Sequence, residues 1–509
     1  MPTRALCAPK RTLPIILFTL PLLMAPATAG RGADPDPVRT RASAIIAEAL
    51  KVPTAYRRLE FLTDNIGHRL AGSEAGARAV QWARAEFEKD GFSVRLEPVM
   101  EPVWIRGEER AEIVAPAPQR IVILGLGGTV GTPPEGVTAP VVVVGSFEEL
   151  DALGRDKVSG RTVLYDNPFQ RTGDDMHDYG RAVTFRGIGA SRAAKLGAVA
   201  ALVRSVGTAT LRTPHTGAMH YEEDAPKIPA AAVTIEDSLL IRRLVESGQK
   251  VSVHLVLGAR TEPDRQGANV VAEIRGREKP GEVVVVGAHL DSWDVGAGAI
   301  DDGGGCAMVI ETMRLLASGP PPRRTVRAVL FANEENGLRG GRAYRAAHAA
   351  ELARHVAAIE ADSGAGRARY LSVTAGEGGA AALRDLLAGI LAPLGAARIQ
   401  EGGGGADISP MEEAGVPQIG LETDTTRYFD WHHTMADTLD KIEPAELQQA
   451  TAALAAATWA LAEWDGTLPR VPPGKKTDER PAGAGPPTEQ PKPSVSSEPR
   501  APAPSPQKK

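Results

Sequence analysis

Residues 283–305, VVVVGAHLDSWDVGAGAIDDGGG, restrict the fold of this chain more than any other stretch. Four consecutive valines read as a strand buried on both faces. A turn with His289 and Asp291 follows, then a glycine-broken loop, then Asp301, Asp302 and three glycines. From Cys306 to Leu316, Val309, Met313 and Leu316 recur at helical spacing. Strand, polar loop and helix are the parts of an α/β unit, and such sheets bind ligands at the carboxyl ends of their strands. His289 and Asp291 fall at that end, and the aspartate pair falls where the next helix starts.

The same alternation recurs downstream. Strands are expected at 269–274, 283–287, 326–331 and 355–361, with helices at about 303–317, 338–350, 379–394 and 444–464. Upstream, helices are expected from Arg39 and over about 74–90, then a strand from Phe92 to Pro98. Between about 117 and 258 the texture changes to short strands, turn-forming residues and one helix near 190–197. His215 and His220 lie there in a polar stretch, where solvated side chains are expected. The fold class is therefore α/β, a mixed, mostly parallel sheet flanked by helices.

Length and composition narrow the rest. A chain of 509 residues, 43% hydrophobic, is expected to hold two or three domains. A net charge of −5 and an aromatic content of 4% argue against nucleic acid as a partner. Arg4, Lys10 and Arg11 precede an apolar run from Leu13 to Met24, and Ala27-Thr28-Ala29 fits a small-x-small cleavage site. Residues 1–29 thus read as a signal peptide too short to serve as a stable membrane anchor. The chain is expected to be exported, either secreted or periplasmic. After cleavage only Cys306 remains, so packing and not a disulfide must stabilise it. Residues 467–509 are mostly Pro, Lys, Glu and Ser and read as a disordered tail.

Four polar clusters could meet at the carboxyl edge of the sheet: His289, Asp291 and Asp301; Glu334-Glu335; Asp362; and His432-His433. Taken singly, each has an ordinary explanation as a helix cap, a solvated acidic pair or a packed surface histidine. Together, imidazoles and carboxylates suit a pair of zinc ions, which polarise a carbonyl and acidify water. One of two adjacent glutamates can ligate while the other acts as general base. No G-x-S-x-G elbow and no H-E-x-x-H helix is present.

These motifs resemble the co-catalytic zinc aminopeptidase family that includes bacterial leucyl aminopeptidase and glutamate carboxypeptidase, in its carboxypeptidase Q branch. The long first motif, the Glu-Glu-x-Gly of EENG, the Asp-Ser-Gly at 362–364 and HHTMADT carry the similarity, which spans about residues 40–466. The resemblance implies two Zn2+ per chain, with Asp301 bridging. His289 and Asp362 would complete one site, Glu335 and His433 the other. Glu334 matches the general base, and Asp291 the carboxylate that orients His289. His433 is preferred to His432 because His433-Thr434-Met435-Ala436-Asp437-Thr438 fits the family's His-Thr-x-x-Asp-Thr. The resemblance further implies a β-rich protease-associated insertion at 117–262, between catalytic segments 38–116 and 263–466. A cis Asp301–Asp302 peptide, peptide substrates with a free N-terminus and a homodimer also follow from it. Two other readings share the fold: a receptor-like binding protein and a single-zinc, glutaminyl-cyclase-like acyltransferase. Retention of every ligand position counts against the first; one zinc per chain would mark the second.

Overall fold

The computed structural model describes residues 36–171 and 175–472, without the side chains of 175–177. The expected signal peptide and residues 473–509 lie outside it. Two eight-stranded sheets organise the chain. The first runs, edge to edge, Val94–Ile105, Arg260–Ile274, Arg324–Phe331, Lys279–His289, His355–Glu360, Gln418–Thr423, Ala368–Thr374 and Arg398–Glu401. The four strands from Arg324–Phe331 to Gln418–Thr423 are parallel, and antiparallel pairs flank them.

The valine run sits in the middle of this sheet. Val284 and Val286 pack on one face with Met308, Val309 and Leu454, while Val283 and Val285 pack on the other with Phe331, Tyr344 and Met411. Burial on both faces is why the strand is continuously apolar and not alternating. Helices Gly304–Ala317 and Pro444–Glu463 cover the first face. The second is apolar nearly all round, as a helix enclosed on every side must be. Before Gly304 lies a π-turn, Ala299–Gly303, and the Asp301–Asp302 peptide is cis as the resemblance implied.

The second sheet runs Gln119–Ile121, Glu109–Ala115, Ser252–Leu257, Val137–Val144, Thr162–Tyr165, Ala200–Arg204, Ala230–Val233 and Ile123–Gly125. Its members start at Glu109 and end at Leu257, and Arg260–Ile274 already belongs to the first sheet. Three helices accompany it, Phe147–Val158, Asp175–Lys195 and Ile235–Glu246, where one short helix was expected. The expected tail also starts too early. Leu468 and Val471 are buried, and Arg470 donates to the carbonyls of His355 (3.0 Å) and Leu352 (3.1 Å). Among the described residues no helix is long and apolar enough to cross a membrane.

Candidate metal centre

Parallel neighbours deliver their following loops to one edge. His289 ends the strand Lys279–His289, and Phe331 stands beside it in register three residues before Glu334. Glu360 pairs with Gly287 two residues before Asp362. His433 follows the short helix Tyr428–Trp431 beyond the strand Gln418–Thr423. The structure therefore brings His289, Asp301, Glu335, Asp362 and His433 together.

Asp301 is the centre of this group. Its Oδ1 is 3.1 Å from His289 Nε2, which is 3.4 Å from Asp362 Oδ1. Its Oδ2 is 3.1 Å from His433 Nε2, which is also 3.1 Å from Glu335 Oε2. Oδ2 is buried and accepts no hydrogen bond. His432 Nε2 is 3.4 Å from the same oxygen but reaches no second carboxylate within ion-pair distance among the described residues, and its ring stacks on His433 at 3.6 Å. Asp302 is committed elsewhere, accepting from His289 N (3.1 Å) and Gly305 N (3.0 Å).

The remaining contacts fix how these groups point. His289 Nδ1 faces the Asp291 carbonyl at 3.0 Å, and His433 Nδ1 faces the Thr216 carbonyl at 3.3 Å. A carbonyl only accepts, so the proton sits on Nδ1 and Nε2 is left to ligate. This corrects the role expected of Asp291: its carboxylate lies 3.9 Å from His289 Nδ1 and accepts instead from the backbone of Glu334 (2.9 Å) and Glu335 (3.3 Å). Asp291 thus ties the His289 turn to the paired glutamates. Glu335 Oε1 is held by Trp293 N at 3.1 Å.

Two residues without an expected role hold the aspartate loop. The Asp437 carboxylate accepts from Ala299, Ile300 and Asp301 N at 2.8, 2.7 and 3.2 Å. Fully buried Arg69 donates to the carbonyls of Leu290, Ala297 and Gly298 at 2.6, 2.9 and 3.0 Å. The second sheet closes the site from above. Thr216 N donates to His433 O at 3.0 Å, and a Cβ on Gly127 would fall 1.9 Å from the Trp293 indole. His215, expected in solvent, is buried there with both ring nitrogens unpartnered, and burial pushes its pKa down to about 3.

Electrostatically the cluster is short of cations. Burial and then neighbouring carboxylates push Glu334 well above the usual carboxylate range and Glu335 up to about 7. Burial opposes protonation of His433, but Glu335 and Asp301 outweigh it and hold the imidazole up at about 9. Buried carboxylates that outnumber their cations are stable only with added positive charge. An unpartnered Asp301 oxygen and a mixed imidazole and carboxylate donor set fit zinc.

Sequence comparison agrees with this site. The pattern of peptidase family M28 matches residues 269–458. Carboxypeptidase Q of Mus musculus is 40% identical over 418 residues, 82% of this chain and 87% of its own, and that of Homo sapiens is 39% identical over the same shares. The structure of a peptidase M28 precursor from Shewanella amazonensis is 38% identical, with a TM-score of 0.83 over 86% of this chain and 99% of its own. A zinc aminopeptidase from Bacillus subtilis shares the fold at 22% identity and a TM-score of 0.59, over 81% and 98%. With 40% identity across most of both chains, and the sheet edge built as the motifs required, this chain belongs to peptidase family M28, on its carboxypeptidase Q branch, and is a metallopeptidase.

Proposed function

We propose that this zinc-dependent exopeptidase hydrolyses dipeptides and short peptides with a free N-terminus, using two zinc ions per chain. His289 and Asp362 hold one ion, Glu335 and His433 the other, and Asp301 bridges them. The single observation that carries the two-ion count is the division of Asp301: one oxygen faces His289 and the other faces His433, each at 3.1 Å. A single-zinc acyltransferase would need only one of these two groups. Bound zinc supplies Lewis-acid polarisation of the peptide carbonyl and makes water a better nucleophile.

Glu334 is the general base in this reading. Its carboxyl is pushed up by burial and by its acidic neighbours, which suits a group that takes a proton from water and returns it to the leaving amine. Asp291 positions Glu334 and Glu335 through their backbone. Residues 117–262 form a protease-associated-like insertion that closes the site without contributing a ligand. The enzyme is exported after removal of residues 1–29, and it works as a homodimer.

The test compares Glu334→Gln with Glu335→Gln by bound zinc and by dipeptide hydrolysis, with and without a chelator. Glu334→Gln should keep both ions and lose roughly 10²–10⁴-fold in turnover, the usual scale of general catalysis. Glu335→Gln should lose zinc as well. If Glu334→Gln purifies without zinc and Glu335→Gln with both ions, the two roles are reversed.

A further inference from the structure

Arg186 lies on the helix Asp175–Lys195 of the second sheet's layer and is only 6% exposed. Its guanidinium packs over the Tyr179 ring, 5.4 Å from the centroid, and leaves no room for a Cβ on Gly217, which would meet Cζ at 2.3 Å. Among the described residues no carboxylate lies within ion-pair distance of it. Its one hydrogen bond with printed geometry, Nη1 to Thr216 O, is 3.3 Å long, and Nε is buried without a partner. A buried guanidinium is ordinarily paired, because desolvating an unpaired charge is costly.

The position of this unpaired cation gives it meaning. Thr216 accepts from Arg186 and, through the same carbonyl, faces His433 Nδ1. Tyr179, under the guanidinium, meets the His432 ring edge-on at 5.2 Å, and His432 is 3.4 Å from Asp301. Arg186 therefore stands one side chain away from the metal-binding carboxylates, on the wall that the second sheet contributes. Arginine presents a planar fork matched to a carboxylate, and a fork already held by its surroundings loses little freedom on binding.

We propose that Arg186 is the binding site for the free α-carboxylate of the peptide substrate, so that the enzyme selects short peptides by their C-terminal charge. This rests on the peptidase reading above and deepens it. An extended residue spans at most about 3.3–3.6 Å, so only one or two residues fit between the scissile carbonyl and a carboxylate gripped beside the metal centre. The N-terminal and C-terminal ends of the substrate are then both close to the reacting bond, which confines the enzyme to dipeptides and tripeptides.

The experiment uses the zinc-loaded full chain with Ala-Ala and its C-terminal carboxamide as substrates. Binding of the matching uncleavable compounds, in which CH2–NH replaces the peptide bond, is read by calorimetry. Wild type should prefer the free acid by about 10- to 100-fold, the range expected for hydrogen bonds to a charged group. That preference should appear mainly in KM and in binding. Arg186→Gln should bring the acid-to-amide ratio near one, and Arg186→Lys should restore part of it; bound zinc reports that each variant is folded. A wild type that treats acid and amide alike overturns the proposal whatever the variants do. So does an Arg186→Gln protein with full zinc whose losses are equal on both substrates, which would make Arg186 a support for the Thr216 loop. A wild type that cleaves neither compound removes the peptidase reading, and the subsite falls with it.

Discussion

The strand Arg324–Phe331 serves two buried charged clusters, and they are built in opposite ways. Midway along it, Arg327 donates to Glu273 (2.6 Å), Tyr344 (2.9 Å) and Glu351 (3.1 Å), and His348 meets Glu97 at 3.0 Å and also Glu351. Burial acts to raise Glu351, but His348 and Arg327 override it and hold the carboxyl down at about 2. At the strand's end, Glu334 and Glu335 move the other way, because burial and other carboxylates act together. The first cluster is complete within the chain, so its charges lock packing. The second lacks the cations it needs, so it is stable as a place for ions the chain does not encode.

The sharpest way to break this contrast is at the adjacent histidines. If the end-of-strand cluster is a metal centre, His433→Ala should lose zinc and at least roughly 10²-fold of dipeptide hydrolysis, since a direct ligand is worth no less than its supporting partners. His432→Ala should retain zinc, because its imidazole approaches Asp301 alone. Zinc analysis of the two purified proteins decides it. The reverse pattern would move the ligand to His432 and leave His433, at φ 60°, with a purely structural task.

Arg327→Met tests the other half. It strips the balanced cluster of its cation and leaves Glu273 and Glu351 facing each other's field. Chemical denaturation should show a loss of about 3 kcal/mol, the lower end of what breaking a buried pair costs. Zinc content and hydrolysis per folded molecule should hardly move. Loss of zinc with little loss of stability would mean that the two clusters are one.

What the sequence made legible was local. His289, Glu334, Glu335 and Asp362 each follow an apolar strand within a few residues, so the strand itself marked them. His432 and His433 were separable only by resemblance, because adjacent residues share every local signal; their distances to Glu335 and Asp301 separate them in the fold. Asp437, Arg69 and Arg186 escaped notice because they act across long separations. Asp437 lies 136 residues from Asp301, and Arg69 lies 221 from Leu290, with no periodicity linking them. In the second sheet, strands such as Ala230–Val233 are alanine-rich and short, and the helix Phe147–Val158 is half charged with a break at Gly154, φ 66°. Weak patterns of that kind take their form from tertiary packing.

The smallest expected effect is a pH dependence in the balanced cluster. Burial disfavours the His348 cation, yet Glu97 and Glu351 outweigh it and raise the pKa above 6.5. Arg327 works in the opposite direction, and His355, the next histidine, is pushed down to about 4 by burial, so it stays neutral near pH 7. A histidine raised by folding stabilises fully below its unfolded pKa and loses that contribution as pH rises through the folded value. Wild type should therefore exceed His348→Gln in stability at pH 6 and converge on it at pH 9. The difference should stay within about 1 kcal/mol, because Glu351 is 27% exposed and solvent screens the pair. Thermal melts of both proteins, zinc-saturated at each pH, provide the measurement. An equal deficit at pH 6 and pH 9 would show that His348 contributes by packing on Tyr344, whose ring lies 4.2 Å away, and not by charge.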